Sequence, residues 1–206
     1  MNATSQAASI DGGFSSPVLD AQAAFHAVMH AMAEPGTIHP FDERATPPAP
    51  LNAAAAAVAL TLCDHETLVW LDPDLASSEG ISVWLAFHTG APITADPGEA
   101  RFLIVANSNR LPLLAALAQG SQDYPDRSAT IILQVGSLDG GAQKLELRGP
   151  GINGVAHISP DALPLQLESQ WHENNARYPR GIDLVLAAPL AIACIPRTTR
   201  IEIVEG

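Results

Sequence analysis

The sequence predicts an α/β fold in which parallel strands are joined by crossover helices. Strand-like runs at residues 68–71, 101–106 and 129–135 alternate with helix-like segments, of which 53–62 is apolar all round and 78–89 has one apolar face. Strand–helix–strand alternation favours parallel pairing with right-handed crossovers. The run 101–106 contains no alternating polar phase, which is typical of a strand buried on both faces.

Composition limits the classes of protein to which this chain can belong. A chain of 206 residues with 47% hydrophobic and 16% charged residues can bury a substantial core. We expect a mobile N-terminus over residues 1–16 and a single α/β domain over 17–206. The formal net charge of −12 argues against a nucleic-acid or anionic membrane surface, since phosphate binding needs clustered Lys and Arg.

The cysteines and the apolar runs bear on cofactors and on localisation. Cys63 and Cys194 form no C-x-x-C pair, which argues against an iron–sulfur cluster or a cysteine-based zinc site in this chain. They are typical of buried thiols in a reducing compartment. Residues 1–16 do not resemble a signal peptide, and the longest apolar run, 53–63, is too short to span a bilayer. We therefore predict a cytoplasmic protein.

The first predicted helix runs from a capping Asp20 to about Ala33. Its predicted apolar face consists of Phe25, Val28, Met29 and Met32, at helical spacing. His26 and His30 lie four residues apart on this helix. Without a third ligand nearby, they indicate ordinary surface or core histidines rather than a metal site.

Further elements follow from shorter patterns. A short helix is predicted at 111–117 and a longer one at 163–175, and apolar strands are predicted at 184–187, 191–195 and 199–204. The strand at 129–135 is predicted to form a hairpin with the alternating strand that begins at Lys144, through the turn residues 138–141.

The strand that begins at Lys144 leads into the turn Gly149-Pro150-Gly151. With Gly154, the glycines have the G-x-G-x-x-G spacing of dinucleotide-binding loops. Pro160 interrupts the helix that should follow, and the acidic partner would be Glu168, inside an apparent helix. A tight turn is the favoured interpretation.

Several enzyme classes lack their signature residues. Nine of the ten basic residues are arginines, so Lys144 is the only lysine available for a P-loop or a pyridoxal-phosphate Schiff base. It lies in the polar phase of an alternating strand, which argues against both classes. The G-x-S-x-G and H-E-x-x-H patterns are also absent.

Two groups of residues remain as candidate sites. Asp64, His65 and Glu66 stand between two apolar segments, where they could form an acid–base group or cap the adjoining elements. The second group consists of four arginines at turns. Arg148 precedes the turn that contains Gly149 and Gly151. Arg177 and Arg180 flank Tyr178-Pro179 ahead of Asp183, and Arg197 follows Pro196. Such arginines can bind phosphate oxygens or partner carboxylates, and structural salt bridges explain them equally well.

Six blocks in this order resemble the PhnH family, the H subunits of the bacterial carbon–phosphorus lyase machinery. The blocks are Ala31-Met32-Ala33-Glu34-Pro35-Gly36 after Phe25, Leu62-Cys63-Asp64-His65-Glu66-Thr67, Phe87-His88-Thr89-Gly90, Leu147-Arg148-Gly149-Pro150-Gly151-Ile152, Tyr178-Pro179-Arg180-Gly181-Ile182-Asp183 and Ile195-Pro196-Arg197-Thr198-Thr199. The family usually has phenylalanine where Tyr178 stands. Together the blocks span most of the chain.

The resemblance implies a three-layer α/β/α fold with a mixed, largely parallel sheet, similar to pyridoxal-phosphate-dependent transferases but without the cofactor. It implies a homodimer in isolation that joins the G, I and J subunits of a core complex. With the G, I and L proteins, the subunit would support transfer of an alkylphosphonate to ribose C1 of ATP with release of adenine, giving ribose 1-phosphonate 5-triphosphate. Cleavage of the carbon–phosphorus bond would belong to the J subunit.

Three functional hypotheses follow. The first is an accessory, non-catalytic subunit in which Arg148, Arg180 and Arg197 hold a partner or line an anionic pocket. The second is a self-sufficient enzyme that binds a phosphorylated or nucleotide substrate at the Gly-Pro-Gly turn. The third is a dimeric scaffold without a ligand site, which predicts a large exposed apolar patch.

Overall fold

The computed structural model describes residues 10–41 and 44–204. The helices are α1 (Pro17–Ala33), α2 (Ala53–Leu62), α3 (Pro73–Ala76), α4 (Glu79–Thr89) and α5 (Leu167–Ala176). The strands are β1 (His39–Pro40), β2 (Val69–Leu71), β3 (Phe102–Val105), β4 (Thr130–Gln134), β5 (Lys144–Arg148), β6 (Ala156–Ile158), β7 (Asp183–Ala188), β8 (Ala191–Ile195) and β9 (Arg200–Val204). Short 3₁₀ helices occupy Ser108–Arg110, Leu114–Ala116 and Pro125–Arg127.

A mixed, mostly parallel sheet forms the centre of the molecule, as the α/β prediction requires. Its strand order is β1-β8-β7-β4-β3-β2. β2, β3, β4 and β7 are mutually parallel, whereas β8 runs antiparallel to β7 and β1 antiparallel to β8. The central strands are buried along nearly their whole length, which explains their continuous apolar sequence.

The predicted hairpin between the 129–135 strand and the Lys144 strand is wrong. β4 pairs with β3 on one side and β7 on the other, so neither of its edges is free for β5. β5 instead lies in a separate antiparallel sheet of order β6-β5-β9. The sequences of the two strands explain why they belong to different sheets. The continuous apolar sequence of β4 suits the middle of a sheet that is covered on both faces, whereas the alternating sequence of β5 suits a sheet with one face exposed.

Different elements cover the two faces of the central sheet. On the first face, α1, α2 and α4 form one core with Ile104, Ile132 and Val185. On the second face, α5 and the small sheet pack against Leu103 and Leu133. The implied α/β/α arrangement is therefore correct for the first face only, since a three-stranded sheet shares the second outer layer with α5.

Two helix predictions need correction. α1 buries Ala24, Val28 and Ala31, whereas Phe25 and Met29 of the predicted face are 50% and 44% exposed. Small side chains let α1 approach its neighbours closely, so Phe25 and Met29 are left on the surface while Val28 and Met32 of the predicted face do reach the core. The helix predicted at 111–117 is replaced by short 3₁₀ turns, and Pro112 accounts for the break because it cannot donate a helical hydrogen bond.

Part of the expected mobile start is anchored to α4. The Trp84 indole donates a hydrogen bond to the Asp11 carbonyl at 2.8 Å, and a His88 ring nitrogen lies 2.9 Å from the Ile10 carbonyl. Residues 1–9 of that predicted segment lie outside the described residues. Within the described chain, no helix combines the length and apolarity needed to cross a membrane.

Candidate functional site

The loop between α5 and β7, which carries Arg177 and Arg180, and the turn between β8 and β9, which carries Arg197, lie at one end of the central sheet. Asn174, buried near the end of α5, holds this loop through its side chain. Its Oδ1 accepts from the Ile182 amide at 2.7 Å and its Nδ2 donates to the Ile182 carbonyl at 2.9 Å. The side-chain amide thus replaces a backbone partner for the residue that enters β7.

Arg197 is bound tightly into the structure at this end of the sheet. Its guanidinium donates to both carboxylate oxygens of Asp183, with Nε at 3.1 Å from Oδ1. The Arg197 amide adds a bond to the same carboxylate, and Nη1 donates to the Pro125 carbonyl at 2.8 Å. These side chains are only 15% and 19% exposed, so the donors of Arg197 serve the fold.

Arg148 and Arg177 also have partners. Arg148 donates to Glu146 Oε1 through Nε and Nη2 at 2.9 and 2.6 Å, and this bond lowers the pKa of the Glu146 carboxyl. Arg177 Nη1 donates to Gln119 Oε1 at 3.1 Å, and its Nη2 lies 4.0 Å from Glu173. Arg148 belongs to the small sheet and is not part of the α5–β7 loop.

Arg180 differs from the other three arginines. Its Nε is buried without a hydrogen-bond partner, and within the described residues its guanidinium makes no ion pair. The neighbouring Tyr178 side chain is 64% exposed. Of the four predicted turn arginines, Arg180 is therefore the one whose side chain has no internal partner among the described residues.

The Gly-Pro-Gly turn has a structural role. Gly151 adopts φ +82°, and a Cβ there would lie 2.0 Å from the Ala33 carbonyl oxygen, so the turn rests on the end of α1. The next strand, β6, pairs antiparallel with β5, and no helix follows the glycines. The geometry of a dinucleotide-binding loop is not formed.

Asp64, His65 and Glu66 form an exposed polar turn ahead of β2. Asp64 Oδ1 accepts from the Glu66 amide at 2.9 Å, and Thr67 Oγ1 accepts from the Asp64 amide at 2.8 Å. Both hydrogen bonds join residues of the same turn, as expected if Asp64 caps the turn. This supports the capping interpretation of the segment over an acid–base group.

The thiols and histidines offer no evident chemistry. Burial raises the pKa of the Cys63 thiol to about 12 and also raises that of Cys194. The His26 and His30 ring centroids are 6.4 Å apart. Across residues 10–41 and 44–204, no group of three or more His, Cys, Asp or Glu side chains could hold a metal ion.

Sequence reasoning missed Asp72, which organises the opposite end of the sheet. Asp72 is fully buried, and its carboxylate accepts from the amides of Leu75, Ala106 and Asn107 at 2.8 to 2.9 Å. It thereby joins the ends of β2 and β3. The sequence does contain a signal for this role, because Asp72 directly follows an apolar strand and precedes Pro73, as a residue that caps the next helix would.

Comparison with known proteins places the chain in a family. Residues 12–202 match the family model described as "Bacterial phosphonate metabolism protein (PhnH)". The PhnH subunit of alpha-D-ribose 1-methylphosphonate 5-triphosphate synthase from Rhizobium meliloti (strain 1021) is 46% identical over 97% of this chain and 98% of its own length. The HtxG protein of Stutzerimonas stutzeri, whose name classes it with C-P lyase subunits, is 31% identical over 88% of this chain and 86% of its own. The chain therefore belongs to the PhnH family of bacterial phosphonate metabolism proteins.

Proposed function

We propose that this chain is an accessory subunit of an alpha-D-ribose 1-methylphosphonate 5-triphosphate synthase in a carbon–phosphorus lyase system. The observation that carries the proposal is the 46% identity to a subunit of that enzyme, over nearly the full length of both chains. The proposed reaction transfers an alkylphosphonate to ribose C1 of ATP with loss of adenine, together with the G, I and L proteins.

An accessory role agrees with the chemistry of the described residues. The Asp64 carboxylate caps its own turn by accepting from the Glu66 amide, and both thiols are held protonated by burial. Lys144 lies on β5, paired in register with Val204. The proposal accordingly includes no pyridoxal phosphate and no iron–sulfur cluster in this chain, although the fold is proposed to be similar to pyridoxal-phosphate-dependent transferases.

We propose Arg180 as the contact with a partner subunit of the complex, among the G, I and J proteins. Among the described residues the Arg180 side chain has no carboxylate or carbonyl partner, so its charge can still form an ion pair with a carboxylate of another subunit. Tyr178, which is exposed beside Arg180, also suits an interface, because tyrosine and arginine are both enriched where proteins meet. Arg148 and Arg197 already have carboxylate partners within the chain and are less suited to this role.

The test of the Arg180 contact is co-purification of this chain with the G, I and J subunits. We expect Arg180→Gln to reduce the recovery of this chain in the complex at least about tenfold, equivalent to roughly 1.4 kcal/mol. The matched control is Arg148→Gln, because it removes the same charge from an arginine that is already paired. Wild-type recovery of Arg180→Gln, or equal losses for both variants, would contradict the proposal.

We also propose that the exposed face of α1 forms the homodimer. Val18, Leu19, Phe25 and Met29 are 81%, 66%, 50% and 44% exposed on this helix. α1 carries a single carboxylate, on Asp20, which is buried and bonded to Arg44. Because each copy carries a net charge of −12, two copies meet at lowest electrostatic cost across a neutral apolar face.

The dimer proposal is tested by native mass. We expect the purified chain to have the mass of a dimer and Phe25→Lys to have that of a monomer with unchanged circular dichroism. Phe87→Lys, an equivalent change at a 62% exposed residue on α4, is the control and should remain dimeric. A monomeric wild type, or a dimeric Phe25→Lys variant, would exclude α1 as the interface.

A further inference from the structure

The chain leaves β2 and β3 toward opposite faces of the central sheet. After β2 it forms the short helix α3 and then α4, whose Ile81, Trp84 and Leu85 pack on the first face. After β3 it enters the 3₁₀ segment, whose Leu114 and Leu117 pack on the second face. Connections that diverge in this way open a crevice between the carboxyl ends of adjacent parallel strands, where α/β proteins commonly bind ligands.

A cleft of about 590 Å³ lies at this position. Its floor is held by Asp72, which joins the ends of β2 and β3. One rim is the segment 161–165, which Asp161 fastens to the end of β4 by accepting from the Gly136 and Ser137 amides at 2.7 and 3.1 Å. The volume falls within the range of small-molecule sites.

Polar groups on one side of the cleft have unused hydrogen-bonding capacity. The hydroxyl of Ser108, a residue only 9% exposed, and the carboxamide of Asn109 have no hydrogen-bond partner in the described part of the chain. Asp74 receives one bond from Asn107 Nδ2 at 2.8 Å, and the Arg110 guanidinium stays 3.9 Å away. A carboxylate has about four acceptor sites, so Asp74 can accept further hydrogen bonds.

The other side of the cleft is apolar. Leu163 and Leu165 line it, and Leu165 is 89% exposed. An isolated exposed leucine needs no explanation, but here it faces the same cavity as a free hydroxyl and a carboxylate. A ligand for this cleft therefore needs hydrogen-bond donors on one side and an apolar surface on the other.

We infer that the cleft between the carboxyl ends of β2 and β3 binds an uncharged small molecule with adjacent hydroxyl groups and a flat apolar face, the chemistry of a nucleoside or an aryl glycoside. Asp74 accepts from the hydroxyl groups, Ser108 and Asn109 bond the ring substituents, and the leucines cover the apolar face. An anionic ligand is disfavoured, because Asp74 lines the cleft and the chain carries a net charge of −12.

The experiment is calorimetric titration of the purified full chain with adenosine and, separately, with phenyl β-D-glucoside. We expect saturable one-to-one binding of at least one of them. 2′,3′-Dideoxyadenosine, which lacks the two adjacent hydroxyls of adenosine, and the charged adenosine 5′-monophosphate should each bind at least about tenfold more weakly than adenosine. The assay uses this chain alone, so its result is independent of assembly with other subunits.

Three variants locate the binding. Asp74→Asn should weaken it about tenfold or more through the lost charged acceptor, and Leu165→Ala about fivefold through lost apolar contact. Asp126→Asn, at the opposite end of the sheet, should bind as wild type. The inference is overturned if neither ligand binds at millimolar concentration, or if Asp74→Asn and Leu165→Ala bind as tightly as Asp126→Asn.

Discussion

The two ends of the central sheet differ in how their polar side chains are used. At the end where β7 begins, Asn174, Asp183 and Arg197 are consumed by internal hydrogen bonds, and the unpaired polar atoms there, such as Arg180 Nε and the Ser128 hydroxyl, are buried. At the carboxyl end of β3, Ser108 and Asn109 retain unpaired polar groups beside a cleft. A dense group of charged residues in a sequence is therefore a poor guide to a ligand site unless its members lack partners.

The difference has a structural cause. At the first end, several irregular segments meet, and their backbone groups need partners that no strand supplies, so long side chains provide them. At the second end, buried Asp72 and the rim residue Asp161 satisfy the loop amides. The remaining polar side chains there are not needed by the fold.

The largest expected effect comes from breaking the Arg197–Asp183 pair. Asp183→Ala leaves a mostly buried guanidinium without its carboxylate and should lower the free energy of unfolding by about 3 to 5 kcal/mol. Denaturant titration measures the loss. Glu202→Ala, an exposed acid on β9, is the control. A loss below about 1 kcal/mol would mean that this end of the sheet does not depend on the pair.

Asn174→Ala should have the next largest effect. It leaves the amide and carbonyl of buried Ile182 without their side-chain partners and should cost about 2 to 3 kcal/mol. The same titration applies. An unchanged midpoint would show that water or a shifted backbone replaces both bonds.

Ser128→Ala should behave differently from the two preceding variants, because the buried hydroxyl of Ser128 has no hydrogen-bond partner in the described chain. Removing an unsatisfied buried polar group should leave the stability unchanged or raise it by up to about 1 kcal/mol. A loss of stability above about 1 kcal/mol would instead reveal a hydrogen-bond partner for this hydroxyl.

The smallest expected effect concerns Arg148 and Glu146 on the small sheet. In Arg148→Gln the pKa of Glu146 should rise toward its ordinary value of 4.5, which carbon-detected NMR titration can follow. Because the folded pKa is lowered, the pair stabilises the protein above the unfolded pKa and loses this contribution as the pH falls through the folded one. An unchanged Glu146 titration would exclude Arg148 as the cause.

Elements that are specified by residues close together in the sequence were predicted correctly, and features that depend on distant residues were not. The helices over 53–62 and 78–89 were predicted correctly because a few neighbouring residues specify them, with Asn52 capping α2 and Gly90 ending α4. The wrong β4–β5 hairpin and the wrong placement of Phe25 and Met29 on the buried face of α1 depend on partners distant in sequence. Both sides of β4 were already occupied, and Ala24 and Ala31 of α1 were buried instead of Phe25 and Met29.

The sequence by itself determined the α/β class, the glycine turns and the resemblance to the PhnH family, since these depend on composition, periodicity and short motifs. Only the tertiary structure decided which of the four turn arginines is unpaired and where the unused polar groups of the β2–β3 cleft lie. A side chain is free or satisfied according to what the fold brings within hydrogen-bonding distance, and segments far apart in the chain supply those partners.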